Sequence, residues 1–159
     1  MIVKQIIDED FVNYKKPSMF IAFPSCTWKC EKECGKRVCQ NSALATAPNI
    51  EVLPDEIAVR YVDNSLTKAI VIAGLEPLDN YEELVELIHI IRIKHKCDDD
   101  IVVYTGYNRA EIEQKLSIIK KFKNIIIKFG RYIPDQNSHY DDTLGVTLAS
   151  DNQYAERIS

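Results

Sequence analysis

The residues with the clearest chemical potential are four cysteines that lie within one short segment of the chain. Cys26, Cys30, Cys34 and Cys39 follow the spacing C-x3-C-x3-C-x4-C, and a fifth cysteine, Cys97, lies far from them. Zinc ribbons prefer two well-separated C-x2-C pairs, which this segment lacks. Thiolates also hold iron–sulfur clusters at several loop spacings. The pattern therefore predicts a metal centre, with an iron–sulfur cluster favoured and a structural zinc site using all four thiolates as the alternative.

The elements that must position these cysteines follow an alternation of strands and helices. Continuous apolar runs predict buried strands, and segments with apolar residues at helical spacing predict helices. The predicted strands are Met1–Ile7, Met19–Phe23, Lys68–Ile72, Ile101–Tyr104, Asn124–Phe129 and Gly145–Leu148. The predicted helices run from Pro54 to about Asn64, from Tyr81 to about His95 and from Arg109 to about Lys121. The cysteine segment Ser25–Asn41 is expected to be irregular, and Pro134–Asp142 is expected to be a flexible loop.

This alternation is typical of βαβ units and predicts an α/β fold with a mostly parallel sheet. With 159 residues, the chain is expected to form a single domain over residues 1–159. Four or five such units cannot complete an eight-unit barrel of about 250 residues, so we expect an open sheet or a partial (β/α) barrel. In both, ligands bind beyond the carboxyl ends of the strands, and the cysteine segment directly follows the first core strand.

Composition limits the class of function. The 20 Lys+Arg and 24 Asp+Glu give a net charge of −4, which disfavours nucleic acid as the main ligand. The N-terminal sequence does not resemble a secretory signal, and no apolar run approaches the ~20 residues that cross a bilayer. We therefore expect a cytoplasmic protein that binds neither nucleic acid nor membranes. Because disulfides are rare in the cytosol, this compartment again favours a metal for the cysteines.

Part of the cysteine segment resembles the signature of the radical S-adenosylmethionine (SAM) superfamily, C-x3-C-x-Φ-C, in which Φ is apolar. Val38 supplies the apolar residue immediately before the cysteine at position 39. Asn41 matches an Asn that the activating enzymes of anaerobic ribonucleotide reductase often place two residues after the third cysteine. The resemblance thus implies that Val38 and Asn41 lie in the cofactor site. The metal ligands that it implies are Cys26, Cys30 and Cys39.

The spacing between the second and third ligands departs from this family. Eight residues, 31–38, separate Cys30 from Cys39 where the family has two. Cys34 lies within this insertion, preceded by Glu33 rather than by an apolar residue, and is the alternative third ligand. The family uses three thiolates to hold three irons of a [4Fe–4S] cluster, and the fourth iron is left open for SAM.

Four further segments at predicted strand ends resemble motifs of the same activating enzymes. Gly74-Leu75-Glu76-Pro77 is similar to G-G-E-P with a leucine in place of the second glycine, and Thr105-Gly106-Tyr107 is similar to T-G-[YF]. Phe129-Gly130-Arg131-Tyr132 is similar to D-G-x-[FY] with phenylalanine in place of Asp, and Ser150-Asp151-Asn152-Gln153 is similar to S-x-N-Q. The cofactor-binding residues that these motifs imply are Gly74, Glu76, Pro77, Thr105, Gly106, Tyr107, Ser150 and Asn152.

Together the motifs imply a radical-SAM-like fold and an activase with two cofactors, a [4Fe–4S] cluster and SAM. The reduced cluster of such an enzyme cleaves SAM, and a glycyl radical forms on a partner, here expected to be an anaerobic ribonucleotide reductase. A flavodoxin or ferredoxin is expected as the electron donor. No side-chain acid or base is required, so no catalytic residue beyond the cluster is expected.

Two other functions are compatible with the sequence. One is a zinc- or iron–sulfur-binding interaction module without turnover, which the insertion and Leu75 would favour. The other is a radical SAM enzyme that acts on a small molecule. The small size of the chain favours the activase, because one compact domain has little left with which to enclose a complex small substrate. A loop of another protein, in contrast, can bring part of the site with it.

Overall fold

The central sheet of the protein has six strands, four of which are parallel. The computed structural model describes residues 1–159. In spatial order the strands are β10 (Tyr154–Arg157), β7 (Ile125–Phe129), β6 (Asp100–Tyr104), β5 (Ala69–Gly74), β3 (Ser18–Phe23) and β2 (Gln5–Asp10). The inner four run parallel, whereas β2 and β10 pair antiparallel at the two edges. The predicted α/β fold with a mostly parallel sheet is therefore confirmed, and the sheet is open rather than closed into a barrel.

The parallel strands are buried on both faces, as their continuous apolar sequences predict. Every residue of β3 and of β5 is buried. The register pairs Phe23 at the end of β3 with Gly74 of β5. It also pairs Tyr104 at the end of β6 with Lys128 of β7. The carboxyl ends of all four strands thus lie side by side, so the loops that follow them can build one site.

Helices cover one face of this sheet. They are α3 (Pro54–Val62), α4 (Tyr81–His89) and α5 (Glu113–Ile119), which lie within the three predicted helical segments. Two shorter helices, α1 (Lys29–Cys34) and α2 (Ser42–Thr46), precede them in the connection between β3 and β5. In α4, Leu84, Leu87 and Ile88 are fully buried at helical spacing against the sheet. Burial of each such side chain stabilises the folded state by about 1.5–3 kcal/mol, so the main core lies on the helix-covered face. None of the helices has an apolar stretch long enough to cross a membrane.

Connecting segments, rather than helices, cover the opposite face. Tyr14, from the connection between β2 and β3, is buried there together with Leu144 and Leu148. The two segments are joined by a hydrogen bond from the Lys15 amide to the Leu144 carbonyl at 2.8 Å. The chain thus closes this side of the sheet with its own residues.

The structure differs from the predicted elements near the two ends of the chain. Two small antiparallel sheets form, β1 (Ile2–Val3) with β4 (Ile50–Glu51) and β8 (His139–Asp141) with β9 (Val146–Leu148). The predicted strand Gly145–Leu148 therefore belongs to a hairpin outside the central sheet, and its partner strand lies in the segment expected to be a flexible loop. A third difference is β10, whose sequence Tyr-Ala-Glu-Arg is half charged and gave no strand signal. Edge strands tolerate such sequences because water covers one side of them.

Candidate metal centre and cofactor cavity

A cavity of about 340 Å³ opens at the carboxyl ends of the parallel strands. It is bordered by the loops that follow β3, β5, β6 and β7, which are the loops that carry the predicted motifs. Of the thirteen predicted site residues, the ten that line it are Cys26, Cys30, Val38, Cys39, Asn41, Gly74, Glu76, Thr105, Gly106 and Tyr107. The three that do not are Pro77, Ser150 and Asn152.

The four clustered cysteines are divided between two cavities. Cys26, Cys30 and Cys39 line the large one, whereas Cys34 lines a neighbouring cavity of about 240 Å³ that Cys30 also borders. The segment expected to be irregular contains the short helix α1 (Lys29–Cys34), which begins just before Cys30 and ends at Cys34. Cys34 therefore does not line the cavity that the three implied ligands share, although Cys30 borders both cavities, and the choice of the third ligand stays a prediction.

The three thiols of the large cavity influence one another electrostatically. Burial raises the pKa of Cys26 to about 11, and it also raises the pKa of Cys30 and of Cys39 above the ordinary thiol value. Cys39 adds to the increase at Cys30, and Cys30 adds to the increase at Cys26. Because the thiolate is the ligand, these protons must leave when a metal centre forms. Assembly at this site is therefore expected to weaken as the pH falls.

The donors that the cysteine segment brings to the large cavity are three thiols, one fewer than a structural zinc site uses. A structural zinc site needs four ligands at about 2.0–2.3 Å from one point, whereas an iron–sulfur cluster distributes its thiolates over separate irons. The Trp28 amide donates to Cys26 Sγ at 3.2 Å, and hydrogen bonds to sulfur are among the factors that tune such clusters. The three thiols of the large cavity are therefore a donor set that can hold a [4Fe–4S] cluster.

Asn41 connects the cysteine segment to the end of β5. Its Nδ2 donates to the Gly74 carbonyl at 2.9 Å. Gly74 has a φ of +99°, and a Cβ there would lie 2.6 Å from the Phe23 amide nitrogen, so glycine is required. Leu75, which replaces the second glycine of G-G-E-P, has no positive φ, and its side chain lines the cavity. The backbone at this position therefore accommodates leucine, and the effect of the replacement falls on the cavity wall.

Glu76 joins the loops that follow β5 and β6. Its carboxylate is buried and accepts hydrogen bonds from the Leu78 amide at 3.1 Å, the Thr105 hydroxyl at 2.8 Å and the Gly106 amide at 2.8 Å. Burial raises the pKa of Glu76 to about 7, and these three donors only partly oppose the increase. The side chain therefore fixes the two loops relative to each other while it remains close to its ionisation point at neutral pH.

Replacing Glu76 with glutamine is expected to change how stability depends on pH. The folded protein holds the Glu76 proton more tightly than the unfolded chain does, because the pKa is about 7 when folded against 4.5 as the reference value. Stability is thus lost as the pH rises from about 4.5 to about 7, and this group accounts for about 2–3 kcal/mol of the loss. Urea unfolding of cluster-free wild-type and Glu76→Gln protein across this window should show a smaller loss in the variant. Parallel pH profiles for the two proteins would contradict the assignment.

Charged contacts hold α1 against the rim of the cavity. Glu111 accepts hydrogen bonds from Lys29 at 3.0 Å and from Arg131 at 2.6 Å, and Arg131 is the main cause that lowers the pKa of Glu111 to about 2. Lys29 Nζ also lies 4.7 Å from the centre of the Tyr107 ring, whose hydroxyl donates to Asp79 at 2.6 Å. Lys29 is half exposed, so these contacts position the cysteine helix and add little to overall stability.

The three predicted site residues outside the cavity support its walls. Ser150 Oγ donates to Asn152 Oδ1, and Asn152 Nδ2 donates to the Arg131 carbonyl, both at 2.8 Å. Pro77 is buried at the start of a 3-10 turn that follows Glu76. The structure therefore places Pro77 and Ser150 outside the large cavity and Asn152 at the neighbouring one, and their contact with a ligand stays a prediction.

Two buried polar residues of the cavity were not among the predicted site residues. Lys128 and Gln153 both line it, and each is less than one-tenth exposed. Burial lowers the pKa of Lys128 to about 8. The sequence does carry a signal for Lys128, because this lysine interrupts the otherwise apolar strand β7. It lies two residues after Ile126 and therefore on the same face of the sheet as Ile126.

Comparison with known proteins supports the metal centre. A family model described as a 4Fe-4S single cluster domain matches residues 18–154. Searches of curated proteins and of solved structures found no match. The matched region includes the four clustered cysteines and all ten predicted residues of the large cavity. Because the match covers most of the chain, the protein belongs to the 4Fe-4S single cluster domain family.

Proposed function

We propose that the protein is a radical SAM activase in which Cys26, Cys30 and Cys39 hold the [4Fe–4S] cluster and the adjoining cavity binds SAM. The observation that carries the proposal is that these cysteines share one cavity with the motifs that follow β5 and β6. A cluster held by Cys26, Cys30 and Cys39 would, when reduced, supply the electron for cleavage of SAM, the chemistry that abstraction of a hydrogen atom from a glycine residue requires.

In this proposal the residues of the chain bind and orient SAM. Oε1 of Glu76 accepts two hydrogen bonds, whereas Oε2 accepts only the one from Gly106 and keeps an acceptor position for the ammonium group of SAM. Half of the cavity lining is hydrophobic, with Val38 and Leu75 among these residues, which suits the adenosine and helps to exclude water. Asn41 keeps the cysteine segment in place through its bond to Gly74.

The proposed substrate is a glycine in a loop of a partner enzyme, an anaerobic ribonucleotide reductase, and the proposed electron donor is a flavodoxin or ferredoxin. Tyr14, Leu144 and Leu148 cover the face of the sheet opposite the helices. The loop of the partner enzyme would therefore approach through the mouth of the cavity. Val12 lines this cavity and is 73% exposed, and the neighbouring Phe11 is 66% exposed. Exposed apolar side chains at this position suit contact with another protein.

Anaerobic reconstitution with iron and sulfide tests the proposal. We expect about four irons per chain, a broad visible absorption that dithionite bleaches, and equal amounts of methionine and 5′-deoxyadenosine once SAM is added. Samples without dithionite should give neither product. Coexpression with an anaerobic ribonucleotide reductase should then give a glycyl radical signal on the reductase. Stoichiometric zinc without cleavage of SAM would contradict the proposal and favour an interaction module without turnover.

A further inference from the structure

The cavity contains one cation that forms no direct ion pair. Three cationic side chains line it, and two of them form ion pairs, Lys29 with Glu111 and Arg131 with both Glu111 and Glu33. Lys128, the third, forms no direct ion pair although it is only 7% exposed, and the buried Glu76 carboxylate acts on it only from a greater distance. Burial of an unpaired ammonium group costs free energy, and proteins generally keep such groups only where another contact offsets the cost.

The hydrogen bonding of Lys128 is also incomplete. Its Nζ donates to the Gly130 carbonyl at 2.8 Å, and Gln153 Nε2 donates to the same oxygen at 3.3 Å. An ammonium group has three N–H donors and an amide has two, so two buried side chains converge on a single acceptor and keep unused donors. Gln153 itself is held in place, because its Oε1 accepts from the Ala149 and Ser150 amides at 2.9 and 3.2 Å.

We propose that Lys128 and Gln153 form a carboxylate-binding site on the floor of the cavity. The ammonium group, which no carboxylate contacts directly, supplies one positive charge for the single negative charge of a carboxylate, and the amide supplies a second donor beside it. A phosphate group, which carries more charge, is usually bound by several cations or by a series of backbone amides. This site is additional to the SAM contacts proposed above. The carboxylate can belong to the nucleoside cofactor or to a second molecule, and the experiment distinguishes these two sources.

Ligand binding to wild-type protein and to Lys128→Met provides the first test. Methionine keeps the length of the side chain and suits the buried position, so the variant is expected to fold. We expect Lys128→Met to bind S-adenosylhomocysteine about 10- to 100-fold more weakly, the range for loss of a charged hydrogen bond, while its affinity for S-adenosyl-3-thiopropylamine, the analogue that keeps the ammonium group but lacks the carboxylate, is unchanged. The matched control is Lys115→Met, since Lys115 also donates to a backbone carbonyl, that of Leu78 at 2.5 Å, but lies outside the cavity. Equal weakening for both nucleosides would overturn the cofactor as the source of the carboxylate.

The rate of reductive methylation of Lys128, followed by peptide mass spectrometry, provides the second test. Acetate added alone or together with 5′-methylthioadenosine should slow methylation of Lys128 several-fold and leave Lys115 unchanged. If acetate slows methylation of Lys128 but Lys128→Met loses no more affinity for one nucleoside than for the other, the site is supported and the carboxylate belongs to a second molecule. If the wild-type protein binds neither nucleoside, the proposed SAM function fails. In that case, slower methylation of Lys128 in the presence of acetate alone would still support the carboxylate site. A methylation rate that no carboxylate changes would overturn the site itself.

Discussion

Alanine in place of Cys26, Cys30 or Cys39 is expected to abolish binding of the [4Fe–4S] cluster, whereas Cys34→Ala is expected to retain it. The first three side chains line the large cavity, and the thiol of Cys34 lines the neighbouring one. A cluster that loses one of three thiolates has no other cysteine in its cavity as a substitute, so the loss should be nearly complete. Iron and sulfide content after anaerobic reconstitution measures the effect.

Two control variants make this result specific. Cys34→Ala belongs to the same segment as the proposed ligands, and Cys97→Ala removes a thiol that packs against the apolar core far from the cavity. Both should retain iron and sulfide close to the wild-type content. If the cluster is lost in Cys34→Ala but kept in Cys39→Ala, then Cys34 is the third ligand and the assignment of Cys39 is wrong.

Alanine in place of Gly74 is expected to lower stability by about 2–4 kcal/mol, the largest effect that we expect for a residue without metal-binding chemistry. The φ of +99° disfavours any L side chain, and the new Cβ would meet the backbone of β3, with 2.6 Å to the Phe23 nitrogen and 2.8 Å to the Ala22 Cα. Strand backbone cannot move aside as a flexible side chain can, so the ends of β3 and β5 must separate. Urea unfolding of the cluster-free protein measures the change.

The matched control for Gly74→Ala is Gly35→Ala at the end of α1. Gly35 also has a positive φ, +66°, but no atom lies within 4 Å of the position that a Cβ would occupy. The strained backbone conformation alone should therefore lower the stability of this variant, by about 1 kcal/mol. Equal losses for the two variants would show that the close approach of β3 and β5 contributes nothing beyond backbone strain.

The sequence predicted the part of the fold that positions the site, because buried parallel strands carry a strong local signal. The apolar runs of β3, β5, β6 and β7 are uninterrupted or nearly so, and each is followed by a segment with turn residues. Once the strands are placed, the parallel topology brings the cysteine segment, Glu76 and Thr105 to the same edge of the sheet. The convergence of these distant residues therefore follows from the parallel topology, whatever the side-chain geometry.

The remaining features depend on tertiary contacts that no local pattern records. The hydrogen bonds with which Ser150 and Asn152 hold the turn at Gly130 and Arg131 are one example. Phe129, where the related motif has Asp, is fully buried and lies 5.2 Å from the ring of Tyr154. Tyr154 belongs to the edge strand β10, so the contact that favours phenylalanine at position 129 depends on a strand that the sequence did not predict.

The most direct test of the central claim, a three-thiolate cluster with one iron open to SAM, is the electron paramagnetic resonance spectrum of the reduced protein with and without SAM. If Cys26, Cys30 and Cys39 are the only protein ligands, SAM should bind the remaining iron and shift the g values of the reduced cluster, in Cys34→Ala as in the wild type. A spectrum that SAM leaves unchanged in both proteins would contradict the claim.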